Sequence, residues 1–441
     1  MPYRLIVRAV LAVAALGAAA ALPARAGGFG IPEIGVRRTA MATIIGRPDD
    51  ASAIYHNPAG LVLQRGLSLY VSMGLSLLDT EFRLRPWPES DRLLGAAPEG
   101  DGYYAPVRPT RALGVIPMLA ATYEVLPGRL VAGAAIYVGN ATGAAFADDA
   151  VTRYHLIDGY VVAPQVVASA AYRLREGLSV GASAGVINLR VHGQREVFPI
   201  IDGMDATGLV GSNPSLELDG SGWAPTWMIA AFGQPHRRVS WGATITGRVD
   251  AELSGPVVVT YGDDSPTPGA VLRGRQTTEQ LLPWAFMGGA SFDLSPNVEL
   301  GAELRYWLYR QYKRQHTDVV GIFLVRALET PKNYHDSWAA SAGVRVHDLR
   351  AAPGLELMAG AQYDRSPAPP ETVTLDQPSF SHPAAHAGAR FRVGRYRFGA
   401  SYIHYWYRVP TITDSLTAPP SNIRGRGANN IFTVSLEAQL R

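Results

Sequence analysis

DDASAIYHNPAGL, residues 49–61, is a short helical stretch started by an aspartate cap and stopped by Pro58 and Gly60. A second helical piece, IPEIGVRRTAMATII over residues 31–45, stands just ahead of it. After about residue 65 almost everything reads as strands. A small non-strand knot in front of a long series of amphipathic strands has the form of a plug ahead of a closed sheet, and the remaining sequence tests that form.

Outward from this knot, the N-terminal side is an export leader. Arg4 and Arg8 precede an apolar Ala/Leu/Val run from Ala9 to Leu22, and Ala24-Arg25-Ala26 is a small-x-small cleavage site. The run is short for a membrane-spanning helix and is closed by Pro23. The expected division is residues 1–26 as a removed signal peptide, 27–65 as the plug and 66–441 as the strand domain.

Composition excludes several classes. The net charge of +3 is carried by Arg4, Arg8 and Arg25, so the chain after residue 26 is formally neutral (3 − 3 = 0). That removes the basic balance expected of a nucleic-acid binder. There is no cysteine, hence no lipoprotein anchor, disulfide framework or thiolate metal site. Nearly half of the residues are hydrophobic (47%), yet no apolar run after the leader reaches helix-spanning length. The apolar residues alternate instead. Val298, Leu300, Ala302, Leu304, Tyr306 and Leu308 share one face, with Glu299, Gly301, Glu303 and Arg305 on the other. The last strand does the same, with Phe432, Val434, Leu436, Ala438 and Leu440 opposing Thr433, Ser435, Glu437 and Gln439.

Fourteen strands are expected, near residues 66–82, 111–125, 129–139, 159–174, 178–191, 222–233, 238–252, 278–293, 297–312, 335–347, 354–364, 382–393, 395–408 and 428–440. Short turns at Leu126, Arg175, Gly233, Leu294, His347 and Val393 alternate with long Pro/Gly-rich links after Phe82, Asn140, Val191, Asp250, Gln311, Asp364 and Val409. A soluble sandwich gives no reason for that alternation, whereas an outer-membrane barrel with both termini periplasmic requires it. In hydrocarbon every backbone polar group needs an internal partner, so with helices excluded a closed barrel is what can span. The fold class is therefore all-β: a 14-stranded antiparallel transmembrane β-barrel with a small N-terminal helical plug. Tyr306-Trp307 and the aromatics from Tyr402 to Tyr407 suit interfacial girdles.

GFGIPEIG followed by DDASAIYHNPAGL resembles the start of the long-chain fatty-acid transporter family of Gram-negative outer membranes, the FadL-like and TodX-type channels for hydrophobic compounds. RLVAGAAIYVGNATG, YHDSWAASAGVRV and the long stretch from Ala361 to Trp406 extend the resemblance over nearly the whole mature chain. It implies passive uptake of hydrophobic molecules, long-chain fatty acids first and aromatic or other hydrocarbons as the alternative. It further implies an apolar lumenal pocket, plug rearrangement and sideways exit at an inward kink of the third strand. The family's plug motif is here Asn57-Pro58-Ala59, followed by Gly60. The gate candidates are Gly133, Gly139 and Asn140, since glycine tolerates bends and bulges. One departure stands out: barrels of this type usually finish in an aromatic residue that assists assembly, and this chain ends Ala438-Gln439-Leu440-Arg441.

A bound carboxylate would need a cation close to an apolar pocket. Arg153 and Lys332 are the candidates, although each also reads as a solvated loop charge. Asp49 and Asp50 read as helix caps rather than metal ligands. An outer-membrane lipid-modifying enzyme is the alternative from another class: Ser381-His382 and His386 offer a nucleophile and bases, but no GxSxG elbow is present. Asp263-Asp264 and His335-Asp336 carry no metal-ligand spacing. The expectation is thus a non-enzymatic monomer without cofactor or metal. Its expected partners are a hydrophobic small molecule, outer-membrane lipid and lipopolysaccharide, and the barrel-assembly machinery, with no nucleic acid.

Overall fold

The computed structural model describes residues 30–88, 90–110, 112–198, 214–263, 265, 267–322 and 326–440. The expected signal peptide, the first plug residues 27–29 and Asp264 lie outside them. Eighteen strand segments form one closed antiparallel sheet of fourteen strands, because four strands are interrupted. The strands are β1 (Leu67–Leu84), β2 (Leu113–Leu126), β3 (Leu130–Ala145), β4 (Asp158–Arg175), β5 (Leu178–Glu196) and β6 (Ser215–His236). The interrupted four are β7 (Val239–Thr246 and Val249–Thr260), β8 (Val271–Leu282 and Ala285–Ser295), β9 (Val298–Trp307 and Arg314–Val320) and β10 (Ala327–Pro331 and Ser337–Val346). Then follow β11 (Leu355–Asp364), β12 (His382–Val393), β13 (Tyr396–Val409) and β14 (Ile423–Leu440). β14 closes on β1 without a register break, from Leu67 opposite Leu440 to Leu84 opposite Ile423. Closure removes every free edge that hydrocarbon would leave unsatisfied.

Alternation decides which face meets lipid. Ile136, Val186, Ile229, Leu304, Phe391, Phe398, Phe432 and Val434 point outward and are exposed. Their neighbours one position along, such as Glu303, Arg390, Thr433 and Glu437, are buried in the lumen. Several strands overshoot the expected limits at the long-loop end: β3 continues to Ala145, β5 to Glu196 and β7 to Thr260, while β6 begins at Ser215.

The plug fills the lumen. It contains α1 (Val36–Met41), α2 (Ala53–His56) and a 3-10 turn (Pro58–Leu63). Both helices are shorter than expected. α1 stops at Ala42, whose φ of 63° is left-handed, and of the two carboxylates thought to cap α2, Asp49 turns to wall arginines while Asp50 keeps a local contact through one oxygen. Asp50 accepts the Ser52 amide and hydroxyl, so Ser52 and not an aspartate stands at the helix start. The wall approaches the plug so closely that a side chain at Gly343 would collide with the Met41 carbonyl, at 1.8 Å from its Cβ.

Candidate functional site

The plug is seated on one side of the barrel by charge. Asp49 pairs with Arg345 at 2.7 Å and Arg390 at 3.0 Å, and Asp50 pairs with Arg390 at 3.1 Å. Arg37, fully buried in α1, pairs with Glu299 at 2.5 Å, and Arg47 pairs with Asp293 at 2.6 Å. The wall residues are matched across strands, Glu299 opposite Arg345 and Glu356 opposite Arg390. This arrangement explains why the plug sequence is so polar: a buried charge is tolerated when it is paired and hydrogen-bonded. Sequence reading missed this seam, although Glu299 and Arg390 were visible on the lumen-facing side of their strands.

On the other side most contacts are neutral, apart from Arg65, which pairs with Glu124 of β2 at 2.9 Å, and Arg173 of β4, which donates to the Val62 carbonyl at 3.1 Å. Asn57 donates from Nδ2 to the Ile45 carbonyl at 3.1 Å and to the Ala231 carbonyl of β6 at 3.2 Å, and its Oδ1 accepts the Ala59 amide. Pro58, Ala59 and Gly60 form the 3-10 turn that follows, and Ser179 of β5 donates to the Ala59 carbonyl at 2.9 Å.

Along β3 the ladders are uneven. Its pairing with β2 ends at Met118 opposite Tyr137. The two strands meet again where the Thr110 amide donates to the Ala145 carbonyl at 2.8 Å. Between these points, among the described residues, no backbone hydrogen bond joins residues 112–117 to residues 138–144. On its other side β3 carries a bulge against β4 between Val138 and Asn140, which places Gly139 at the extra position. Part of the exposed β3 edge is met from inside, where the Ile31 amide of the plug donates to the Gly139 carbonyl at 2.8 Å. Gly139 and Asn140 therefore sit at the discontinuity. Gly133 does not: it pairs regularly with Thr122 and Ser169, and its missing side chain makes room for Ile54 of the plug.

Two chambers lie along the lumen. The lower, of about 110 Å³, is lined by Tyr55, Tyr137, Asn140, Gln165, Trp307 and Tyr309 and so reaches the β2–β3 discontinuity. The upper, of about 140 Å³, lies at the loop end and is lined by Tyr160, Arg195, Leu216, Leu328, Asp376 and Gln377. Strand order places an apolar constriction between them. Along β5 the lower chamber reaches Ile187, Leu189 is fully buried, and the upper chamber begins at Val191. Leu253, Leu281, Tyr312 and Tyr334 join the same cluster, with Tyr312 edge-on to Tyr334 at 5.4 Å.

Both candidate cations are buried, not solvated. Arg153 is committed to Glu196 at 2.9 Å and to the carbonyls of Leu93 and Leu94, so it is not free for a ligand. Lys332 lies behind the upper chamber, fully buried, with its Nζ on Gln377 Oε1 at 3.0 Å. Among the described residues no carboxylate lies within ion-pair distance of it. Burial pulls its pKa below the ordinary lysine value, and the charge of Asp376 opposes that shift. His155, in the loop after β3, is pushed by burial down to about 3 and stays neutral, so it adds no cation.

The enzyme-like residues are not brought together. His382 directs Nδ1 at the Phe380 carbonyl (2.7 Å) and Nε2 at Asp364 (3.1 Å), while the Ser381 hydroxyl accepts the Ser366 amide. Among the described residues two groups have ligand atoms within 4.8 Å of one another, His192–Glu217–Asp219 and Asp293–Glu299–His347. The second is already occupied by Arg47 and Arg345.

A fourteen-stranded barrel with a lumenal plug, a third strand that parts from the second and is bulged against the fourth, and an apolar passage defines a channel class for hydrophobic compounds. The family described as "Outer membrane protein transport protein (OMPP1/FadL/TodX)" matches residues 17–397, and the chain belongs to it. Membership places the protein in the Gram-negative outer membrane. Among solved structures it is similar to a Pseudomonas aeruginosa FadL homologue, with TM-score 0.76, 14% identity, and 94% of this chain and 100% of that chain covered. The Pseudomonas putida toluene transporter TodX gives 0.71 and 14%, covering 94% of this chain and 100% of that one. The Ralstonia pickettii toluene transporter TbuX gives 0.69 and 15%, covering 94% and 99%. No curated protein matches the chain. At these identities the likeness carries the fold and not the cargo.

Proposed function

We propose that the chain admits hydrophobic molecules with an acidic head, long-chain fatty acids foremost, by passive diffusion. Entry is from the long-loop end, taken as extracellular with both termini periplasmic. The cargo passes the constriction to the lower chamber and leaves sideways into the bilayer between β2 and β3, with the plug shifting at Asn57 through Gly60 as it goes. The observation that carries the acidic head is Lys332: a buried ammonium with an amide and no carboxylate at contact distance is stabilised by an anion entering beside it. The constriction opens only if ligand binds the open arrangement better, so the driving force is differential affinity along the path. No energy source or cofactor enters this scheme.

A second reading has its own support. Chambers of about 110 and 140 Å³ are close to the size of an apolar cavity that holds one aromatic ring. Neutral monoaromatic hydrocarbons would fit each chamber without the constriction moving far.

Native mass spectrometry of the detergent-purified protein, offered a fatty acid, its alcohol and toluene, separates the two. The fatty acid should be retained over its alcohol by about tenfold or more, the factor for one charge-assisted contact. Lys332→Met should abolish that preference. Retention of toluene with equal, weak retention of acid and alcohol would move the cargo to the second reading.

A further inference from the structure

On the outward face of β13, β14 and β1 the apolar belt gives way to arginine within one step. Phe398, Tyr402 and Trp406 of β13, Phe432 of β14, and Leu75 and Leu77 of β1 point into the lipid and are exposed. Two residues beyond Trp406, about 7 Å along the strand, Arg408 stands directly opposite Arg426 of β14. Two residues further, Arg424 stands opposite Arg83. Like charges facing each other across a ladder are destabilising unless something lies between them.

The acids at hand do not serve the first pair. Arg83 and Arg424 are held by Asp101, and Arg424 also lies over the Tyr103 ring at 4.0 Å. Glu81 is engaged by Arg108 at 2.8 Å and reaches Arg426 only at 3.9 Å. Arg426 has 81% of its side chain exposed, and Arg408 is exposed with no partner among the described residues. Arg273 and Arg275 of β8 are also outward and exposed, but they follow each other along one strand and stand opposite Val258 and Pro256, not opposite another arginine. At the long-loop end of β6 and β7 the outward residues are Glu217, Asp219, Asp250 and Glu252, with Arg248 already paired to Asp250.

We propose that Arg408 and Arg426 hold a phosphate of a lipopolysaccharide molecule whose acyl chains lie on Tyr402, Trp406, Phe432 and Leu75. A phosphate between two guanidinium groups gives each a bidentate, charge-assisted contact and cancels their repulsion. The belt directly below supplies the surface for the chains, and the aromatic rings sit at the polar boundary where such rings are favoured. The bound lipid would brace the seam where the last strand closes on the first. The inference uses outer-membrane residence and the outward setting of the long-loop end, and is independent of the cargo.

The test is native mass spectrometry of the full-length processed protein in detergent, with deep-rough lipopolysaccharide, the same lipid after enzymatic dephosphorylation, and phosphatidylglycerol. Wild type should retain the phosphorylated lipid, and dephosphorylation should lower retention by at least about tenfold. The double variant Arg408→Gln/Arg426→Gln should lose retention to the same extent, while Arg273→Gln/Arg275→Gln, outward arginines on β8, should not. Equal retention of the dephosphorylated lipid, or of phosphatidylglycerol, by the wild type would overturn the proposal whatever the variants do. So would undiminished retention by a double variant that keeps the heat-modifiable mobility of a folded barrel.

Discussion

Against β9 to β12 the plug is held by charge, with Arg37, Arg47, Asp49 and Asp50 set into Glu299, Asp293, Arg345 and Arg390. Against β3 to β6 it meets Val131, Val138, Val162 and Val167 through Ile31, Ile54 and Leu61, with hydrogen bonds from Arg173, Ser179 and Ser183 to plug carbonyls and from Ile31 and Asn57 to the carbonyls of Gly139 and Ala231, but no carboxylate–guanidinium pair among the described residues. Separating a buried charged pair leaves uncompensated charge and costs more than shifting neutral contacts that can re-form in a new position. The plug is thus fixed on one wall and loose on the other, and the loose wall is the one where β2 and β3 part. The fold places the charged seam and the proposed exit on opposite sides of the same lumen.

The comparison breaks most readily at Arg390, which holds Asp49, Asp50 and Glu356 together. Arg390→Met leaves three carboxylates short of a partner, and the expected loss in plug seating is about 3–5 kcal/mol. Planar-bilayer recordings should then show ion conductance that the wild type lacks. A silent Arg390→Met channel with unchanged thermal stability would mean that charge does not seat the plug.

Next in size is the exit. Deleting Gly139 removes the bulge against β4, so that the β3–β4 ladder runs from Val138 into Asn140 without a break and β3 is straightened at the edge it shows to β2. Uptake should fall by about an order of magnitude, the effect of about 1.4 kcal/mol added to the cost of opening. The charged seam on the opposite wall should hold, so the wild-type silence in planar bilayers should be kept even though the Ile31 contact to the Gly139 carbonyl is lost. Unchanged uptake would place the exit elsewhere.

Asn57→Ala sharpens the loose side. It strips two carbonyls, Ile45 and Ala231, of one donor, and should cost about 1–3 kcal/mol. Hydrogen exchange of residues 57–64 should quicken while that of residues 36–41 stays slow. Equal quickening in both segments would show that the plug moves as one body.

The barrel was legible because a membrane imposes a strict alternation: Leu300 and Leu304 must face lipid while Glu299 and Glu303 cannot. Where that constraint ends, legibility ends. Beyond the apolar belt β6 carries Glu217 and Asp219 on its outer face, so the periodic contrast fades and the strand ends were set too early. The plug's position was readable from Asn57-Pro58-Ala59, but its short helices were not. Asp49 and Asp50 look like caps to any local rule; Asp50 does accept the Ser52 amide, but tertiary pairing turns Asp49 to Arg345 and Arg390 and gives the other oxygen of Asp50 to Arg390. The bulge at Gly139 was open to reading because glycine admits it, whereas Gly133, identical locally, serves a close approach that only packing reveals. Arg153 and Lys332 look alike as loop charges. Glu196, brought from the far end of β5, makes one of them a structural pair and leaves the other available.

That last distinction carries the smallest predicted effect. Because burial lowers the Lys332 pKa, its ammonium loses its proton at a lower pH than a free lysine, whose value is about 10.4. The charge that favours an acidic cargo is therefore full at low pH and declines as pH rises through the lowered value. A fatty acid stays ionised across this range, so its preference over the matching alcohol should shrink as pH rises toward the free-lysine value of about 10.4. A bound carboxylate raises the pKa again, so binding in that window should take up protons, which calorimetry in buffers of different ionisation enthalpy measures. Lys332→Met should show neither the decline nor the proton uptake. If the variant keeps both, the titrating group lies elsewhere in the upper chamber, and the contrast between Lys332 and Arg153 does not govern recognition.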